Sequence, residues 1–378
     1  MILTHKTECF PNKEQIEFIE KMFGVRRFIF NKFTIISKNT FGDLKKNKKN
    51  ITKKFISDLR KNVFRKEYKN ILSTAPSQIL ETTMEDFNFA LSSLWKNGKE
   101  IKLKRKKDSN TCRISRKNEF NFKYDNGSKY LKIVRLGNLK LAEKLRYTFN
   151  DNIKTVTIKK QANRYFISIT MEVQNKPINN NITGKQIALD WGIRTYFTGW
   201  DGENVIEFDL DDRILDKLNI NIARKNKAFS KKKVNSKNFH KAKTKLEQAY
   251  LNKQNYIEDE LKKMSKILSD DYDLVILENL KLGFVNRGAN RTIRRTSKDK
   301  PFYKAKLILY NKFKQLGKNV YEVDKTNTSK KCYKCGHIHK ELGSSKEFIC
   351  PECGYKIDRD LNAAMNIFII DERKEIKL

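Results

Sequence analysis

The sequence predicts an α+β protein with more than one domain, and three observations carry that expectation. At 378 residues the chain is long enough for two or three separate cores. Apolar residues recur at helical spacing in the first hundred residues, then alternate with period two to about residue 173. Beyond residue 185, short apolar strand runs mix with long helical stretches, and two cysteine pairs stand near the end.

The stretch ECFPNKEQIEFIEKMFGVRRFIFNKF (8–33) is strand-like as far as Pro11. Asn12 is placed to cap a helix, with Gln15 three residues on completing a capping box, and Ile16, Ile19 and Phe23 share one face. Residues 43–70 have a helical pattern so rich in lysine that they are expected to face solvent or a polyanion. Pro76 and Ser77 open another helix, in which Leu80, Met84, Phe87, Leu91 and Leu94 repeat at helical spacing. Residues 119–136 alternate about an Asn-Gly turn, a hairpin signal, and 155–173 read as a second hairpin. QNKPINNNITG (174–184) has linker composition. Next, 185–210 read as strand, break, strand, Asp-Gly turn, strand. A long basic helical stretch is expected from about Asn219 to Asp270, then a buried strand at 272–280, a helix around 301–316 and a strand at 319–324. After the cysteines, LNAAMNIFIIDER is helical. No internal repeat is apparent.

Lys and Arg total 81 against 44 Asp and Glu, a net charge of +37. A compact chain so charged repels itself unless a polyanion offsets it. Nucleic acid is the first candidate and an anionic membrane surface the competitor. No apolar run approaches roughly 18 residues and the N-terminus lacks a signal-peptide pattern, so an intracellular, soluble protein is expected. The densest basic stretches, 96–110 and 224–246, offer Lys104, Arg105, Lys106 and Lys107, and Lys231, Lys232 and Lys233, as phosphate contacts. Their ordinary reading is a solvated charged face.

Cys332 and Cys335 are two residues apart, as are Cys350 and Cys353, with 14 residues between the pairs. Two such knuckles supply four thiolates for tetrahedral zinc. Gly336 and Gly354 follow each pair, where a positive φ helps the turn close. His337 and His339 are spare, because four thiolates complete the shell. Three acids stand at element ends: Asp190 after an apolar strand, Glu278 after another, and Asp360 at a helix start. A buried acid costs free energy unless it is solvated, paired or holding a metal. Three that converge suit Mg²⁺ or Mn²⁺ and phosphodiester hydrolysis. Singly, each has an ordinary explanation: Asp358 and Asp360 as helix N-terminal acids, Glu278 as a turn start, Asp190 as a loop acid. Asp201 belongs to a hairpin turn and Asp324 ends its own strand. Pattern alone does not select the triad.

IALDWGI…WDG, VILENL, VDKTNTSKKCYKCG and CPECGYKIDRDLNAAMNI, with FPNKEQIEFIEKMFGVRRFIFNKF and APSQIL upstream, resemble in order the TnpB proteins, transposon-encoded RNA-guided nucleases related to Fanzor proteins and type V CRISPR effectors. The run from TSKKCYKCG to DRDLNAAMNI is highly specific, whereas ENL alone is weak. The spacer HKELGSSKEF looks closer to the Fanzor-like branch. The resemblance implies a β-barrel (wedge, OB-like) domain at 1–11 and 97–176, an inserted helical recognition domain at 12–96 and a linker at 177–184. It further implies an RNase H-like (RuvC) nuclease domain at 185–330 and 355–378, with a zinc ribbon at 331–354 inserted ahead of the last catalytic helix.

By the same resemblance Asp190, Glu278 and Asp360 hold catalytic Mg²⁺ or Mn²⁺, with Asp358 in reserve. The protein is expected to be a monomer that binds a guide RNA and cleaves matching double-stranded DNA beside a short flanking motif, with the helix starting at Ser77 and Gln78 reading part of it. Trp191 departs from the family, where a proline or small apolar residue is common, and its ring would narrow access to the metals. Two rivals share the charge: a nuclease-inactive RNA-guided repressor and a non-catalytic zinc-ribbon RNA-binding protein. A transposase with a tyrosine or serine recombinase centre finds no matching residues.

Overall fold

The structure, a computed structural model, describes residues 2–48, 51, 53–106, 110–115, 122–124, 127–145, 153–172, 182–192, 194–279, 299–324, 327–343, 345–370 and 374–375. These form two compact units, Met1–Asn175 and Lys176–Leu378.

In the first unit, strand β1 (Ile2–Phe10) leads into helix α1 (Lys13–Phe41) through the expected capping box. Asn12 Oδ1 accepts the Gln15 N–H at 2.8 Å, and Gln15 Oε1 accepts the Asn12 N–H at 3.0 Å. Residues 53–73 are four short pieces: α2 (Lys53–Asp58), a π-helical turn (Leu59–Phe64), α3 (Arg65–Glu67) and α4 (Lys69–Ser73). The described lysines of 43–70 face solvent as expected, but the span also has a buried face that the pattern did not show. Leu44, Ile51, Ile56, Leu59 and Phe64 are all buried, and the Phe64 ring lies 4.5 Å from that of Phe33. The widened π turn shifts the apolar residues off a 3.6 period, so the lysines dominate the pattern. Helix α5 (Gln78–Asn97) buries Leu80, Phe87, Leu91 and Leu94 and closes at Gly98 (φ 67°), whose N–H bonds to Leu94 O at 2.9 Å.

The remaining strands of this unit are β2 (Thr111–Ser115), β3 (Phe122–Tyr124), β4 (Tyr130–Ile133), β5 (Gly137–Leu141), β6 (Ile153–Gln161) and β7 (Arg164–Glu172). They join β1 in one antiparallel sheet ordered β2-β6-β7-β1-β5-β4-β3. Both expected hairpins form. In the first, Tyr124 faces Leu131, while Asn126 of its turn lies outside the described residues. The second turns on Ala162 and Asn163, both at positive φ, which matches the twist of the flanking strands. Inward residues of the sheet share one core with α1 and α5. Cys9 and Cys112 lie inside it, where burial pushes each thiol up to about 12 and leaves it unreactive.

Most of the expected linker lies outside the described residues. The second unit is built on β8 (Gln186–Trp191), β9 (Phe197–Trp200), β10 (Val205–Phe208), β11 (Leu274–Glu278) and β12 (Asn319–Val323), with β13 (Glu347–Ile349) and β14 (Lys356–Asp358) forming a separate hairpin. With β15 (Lys374–Glu375) the main sheet runs β10-β9-β8-β11-β12-β15 and is mixed: β8, β11 and β12 are parallel, and the outer pairs antiparallel. Side chains alternate across it. Ile187, Leu189, Val275 and Leu277 pack against α7 (Lys237–Asp271) and α8 (Phe302–Gln315). Ala188, Ile276 and Val323 pack against α9 (Arg359–Phe368) on the opposite face.

The long basic helical stretch expected over 219–270 forms as two helices. Helix α6 (Asp212–Ser230) ends before α7, and the break carries Asn235 at positive φ and Ser236 as the cap of α7, its Oγ accepting the Phe239 N–H at 3.0 Å. Ile222 then packs on Leu246 and Ala249. Lys318 is buried as an internal clamp. Its ammonium donates to the carbonyls of Ser269 (2.7 Å) and Tyr272 (3.1 Å) and pairs with Asp273 at 2.9 Å. Among the described residues no helix is long and apolar enough to cross a membrane.

Candidate functional site

Asp190 and Glu278 occupy the C-terminal ends of the adjacent parallel strands β8 and β11, whose register pairs Leu189 with Leu277 one residue earlier. Both acids alternate onto the face covered by α9 and are 8% and 3% exposed. Thr328 Oγ1, itself buried, donates to Glu278 Oε1 at 2.8 Å and fixes that carboxylate. Asn279 N–H bonds to Val323 O at 2.9 Å, so the exit from β11 is tied to β12. Leu280 and residues 281–298 lie outside the described residues.

The third acid arrives from α9. Asp358 is the helix N-cap: its Oδ1 accepts the N–H groups of Asp360 (2.9 Å) and Leu361 (3.2 Å), and its carboxylate also meets Lys346 at 3.5 Å. That leaves the Asp360 carboxylate to face the β8 exit, where a Cβ placed on Gly192 would lie 3.3 Å from Asp360 Oδ2. Burial, then the nearby Asp358 charge, push the Asp360 carboxyl above its ordinary range, with Arg359, Lys346 and Arg194 pulling the other way. The turn from 192 to 196 is tight: the Gly192 N–H bonds to Tyr196 O, and the same imagined Cβ would stand 2.3 Å from Thr195 O. Buried Lys300 clamps this turn by donating to Arg194 O while pairing with Asp209 at 2.7 Å.

Trp191 alternates to the opposite face from Asp190. Its ring packs edge-on against Phe197 (4.8 Å) and Phe302 (5.6 Å), so its bulk goes into the core rather than toward the acids. Asp201 sits in its hairpin turn, accepting from the N–H groups of Glu203 and Asn204 and from the Tyr272 hydroxyl.

Cys332, Cys335, Cys350 and Cys353 bring four Sγ atoms within 4.8 Å of one another. Cys332 and Cys353 are 3.8 Å apart, and Cys335 and Cys350 3.5 Å. Tetrahedral zinc with Zn–S bonds of about 2.3 Å needs sulfurs about 3.8 Å apart, so the donor set fits that ion. The knuckles are matched. Gly336 (φ 77°) donates to Cys332 O at 2.9 Å, and Gly354 (φ 67°) to Cys350 O at 3.0 Å. Burial alone would raise the Cys350 thiol, but amide donors at Cys353 and Glu352 and the neighbouring thiols outweigh it and hold it at about 6. Neither His337 nor His339 joins the cluster. Among the described residues these four are the only compact set of metal donors, and the three acids do not close to that spacing.

Two asparagines not singled out in the sequence join this cluster to α9. Asn362 Oδ1 accepts the Tyr333 N–H at 3.0 Å and its amide donates to Lys331 O at 2.8 Å. Asn366 Nδ2 reaches the carbonyls of Lys331 (2.7 Å) and Thr328 (2.9 Å). Both are buried, four residues apart on one helix face. Polar residues at helical spacing on an otherwise apolar face were the signal available.

Of the basic candidates, Lys231, Lys232 and Lys233 form the exposed break between α6 and α7. Arg105 and Lys106 are exposed, Lys104 is half-buried, and Lys107 lies outside the described residues. Gln78 is buried at the start of α5. It lines a cavity of about 540 Å³ with Pro76, Ser77, Arg65, Lys69 and Arg135.

The described fold matches that of a Cas12f1 effector solved with sgRNA and target DNA, with a TM-score of 0.54 over 97% of this chain and 98% of that one, at 14% identity. The fold is thus Cas12f-like. Three family profiles match the sequence: "Helix-turn-helix domain" over 1–39, the IS605 OrfB "Probable transposase" over 168–287, and "Cas12f1-like, TNB domain" over 302–367. The first name does not describe what is seen, which is a strand followed by one long helix. InsQ of Escherichia coli (strain K12), which bears the name RNA-guided DNA endonuclease, is 25% identical over 80% of this chain and 77% of its own length. TnpB-like protein L79 of Acanthamoeba polyphaga mimivirus is 32% identical over 36% of this chain and 27% of that protein. The chain is thus similar to TnpB (IS605 OrfB) proteins, through the OrfB and Cas12f1-like profiles in its second half and through InsQ over most of its length.

Proposed function

We propose that the chain is an RNA-guided DNA endonuclease of the TnpB type, hydrolysing DNA that matches its guide beside a short flanking motif. The observation that carries this reading is the placement of Asp190 and Glu278, two buried acids in register at the ends of adjacent parallel strands, on the face where α9 brings Asp360. The names of InsQ and of the CRISPR-associated endodeoxyribonuclease Cas12f1 support it. In this reading 1–11 and 97–176 are a wedge-like barrel, 12–96 a recognition domain, and 185–330 with 355–378 a RuvC-like nuclease domain. The cysteine segment 331–354 is its zinc ribbon. The protein acts inside cells as a monomer with a guide RNA and target DNA.

Asp190, Glu278 and Asp360 would hold Mg²⁺ or Mn²⁺. Hard carboxylate oxygens suit those ions. Such ions supply an activated water and stabilise the leaving oxygen. The chain's own part is positional. Thr328 fixes the Glu278 carboxylate, Asp358 caps α9 so that Asp360 is presented, and Gly192 lets the β8 exit pass close to Asp360.

The test is to co-express the protein with its flanking genomic locus, sequence the RNA that copurifies, and assay a randomised-flank DNA library with Mg²⁺. A discrete RNA with guide-matched cleavage, abolished by Asp190→Ala while RNA binding stays, is expected. Binding without cleavage by the unaltered chain would move the assignment to a repressor. No specific RNA would leave a zinc-ribbon protein.

A further inference from the structure

Helix α5 turns Phe87, Leu91 and Leu94 into the core, but Phe89 stands 77% exposed, the most exposed phenylalanine among the described residues. The ring does not stand alone. It lines a groove of about 700 Å³, within the range of small-ligand sites, whose apolar surface comes from Phe30, Phe89, Ala90 and Ile101. The rim is the irregular segment after Gly98, which contributes Lys99, Lys102 and Lys104.

That rim is docked rather than trailing. Asn31 on α1 accepts the Lys104 N–H at 2.7 Å and donates to Lys104 O at 3.0 Å, as a neighbouring strand would. The Lys104 ammonium sits 4.8 Å from the Phe30 ring. Of the two acids in the lining, Asp86 is neutralised by Arg26 (2.8 Å) and Arg113 (3.1 Å). Glu100 remains against three lysines, so the groove is cationic over an aromatic base.

We propose that this groove is a nucleotide subsite, in which an unpaired base of the bound RNA stacks on Phe89 while Lys99 and Lys102 hold its flanking phosphates. Aromatic faces take bases of any identity, and lysines hold phosphates without reading sequence. RNA is favoured over duplex DNA because a base must be unstacked to reach a ring, and folded RNA presents such bases in loops and bulges. A second copy of the chain is disfavoured by the cationic rim and by the net charge of +37. The subsite rests on the RNA-binding part of the proposed function and not on the nuclease part.

The experiment irradiates the full chain with its copurified RNA at short ultraviolet wavelength and maps nucleotide adducts by mass spectrometry. Affinity for the same RNA, made by transcription, is measured for Phe89→Ala and Phe89→Tyr. Expected are a ribonucleotide adduct on Phe89, an affinity loss of about ten-fold in Phe89→Ala, within the range one stacked base contributes, and retention in Phe89→Tyr. Three results would overturn it: adducts elsewhere but none at Phe89, a deoxynucleotide adduct seen only after target DNA is added, or a Phe89→Ala change in sedimenting mass. If the unaltered chain carries no RNA and forms no adduct anywhere, the RNA-binding reading itself fails, and the subsite with it.

Discussion

Gly192→Ala puts the candidate site to its most direct mechanical test. The added Cβ would stand 2.3 Å from Thr195 O, where real contacts essentially never fall below 3.0 Å. The obstructing atom is backbone, in a turn held from outside by Lys300, so no side chain can swing away. The turn must move by at least about 0.7 Å. The same methyl would lie 3.3 Å from Asp360 Oδ2, so the displacement acts on that carboxylate too. Overpacking of this kind costs about 1–3 kcal/mol, which for a unit of this size lowers Tm by roughly 3–10 °C. A misplacement near 1 Å in a catalytic constellation costs about 100-fold in rate. Single-turnover cleavage of a guide-matched duplex, RNA affinity and thermal unfolding are to be measured beside Gly343→Ala, whose Cβ would meet nothing within 4 Å. The expected outcome is a cleavage rate down about 100-fold, intact RNA affinity and a silent control. Wild-type cleavage with unchanged Tm in Gly192→Ala would refute the argument.

Thr328→Val removes the hydroxyl that donates to buried Glu278 and is expected to cost about 1–3 kcal/mol in urea unfolding, with a higher Mg²⁺ requirement for cleavage. Cys335→Ser should drop bound zinc from one per chain to none by elemental analysis and lower Tm, whereas Asn366→Ala should keep the zinc and still slow cleavage. Glu258 on α7 gives a pH-dependent case. Burial would raise its carboxyl, but hydrogen bonds from Lys304 and Lys262 hold it down at about 2. A folded-state value below the unfolded one stabilises above about pH 4.5 and fades as pH falls toward 2. Glu258→Gln should therefore lose about 1–2 kcal/mol at pH 7, after screening of a half-buried pair, and clearly less at pH 3.

What the sequence made legible was local chemistry with a short range. The Asn12–Gln15 box, the hairpin over 155–173, and the glycines behind each cysteine pair are each decided within a few residues. The ends of β8 and β11 were visible because apolar runs stopped at an acid. The rest depended on partners distant in the chain. Lysine content hid the buried face of 43–70, since a π turn breaks the period on which amphipathicity is read. No charge count could pick Lys300 and Lys318 out of 81 cations as internal clamps, because their acceptors are carbonyls supplied by other elements. The direction of Trp191 needed the second face of the sheet to be assigned.

The separation of Asp358 from Asp360 shows why a cysteine cluster is joined to this helix. Asp358 ends β14, where it pairs in register with Glu347 of β13, and the Arg359 N–H bonds to Lys346 O at 2.8 Å. The start of α9 is therefore fixed to the hairpin around the second knuckle. One turn on, Asn362 and Asn366 grip the backbone at Thr328, Lys331 and Tyr333 around the first knuckle. Each buried bond contributes only about 0.5–1.5 kcal/mol, but the two sets anchor the helix to different stretches of chain. Those stretches meet through the four sulfurs. An ion there would lock both anchors together, and with them the direction in which Asp360 leaves the helix. Thr328 extends the linkage, because its carbonyl binds Asn366 while its hydroxyl binds Glu278. Loss of the ion should thus reach two of the three acids without touching either.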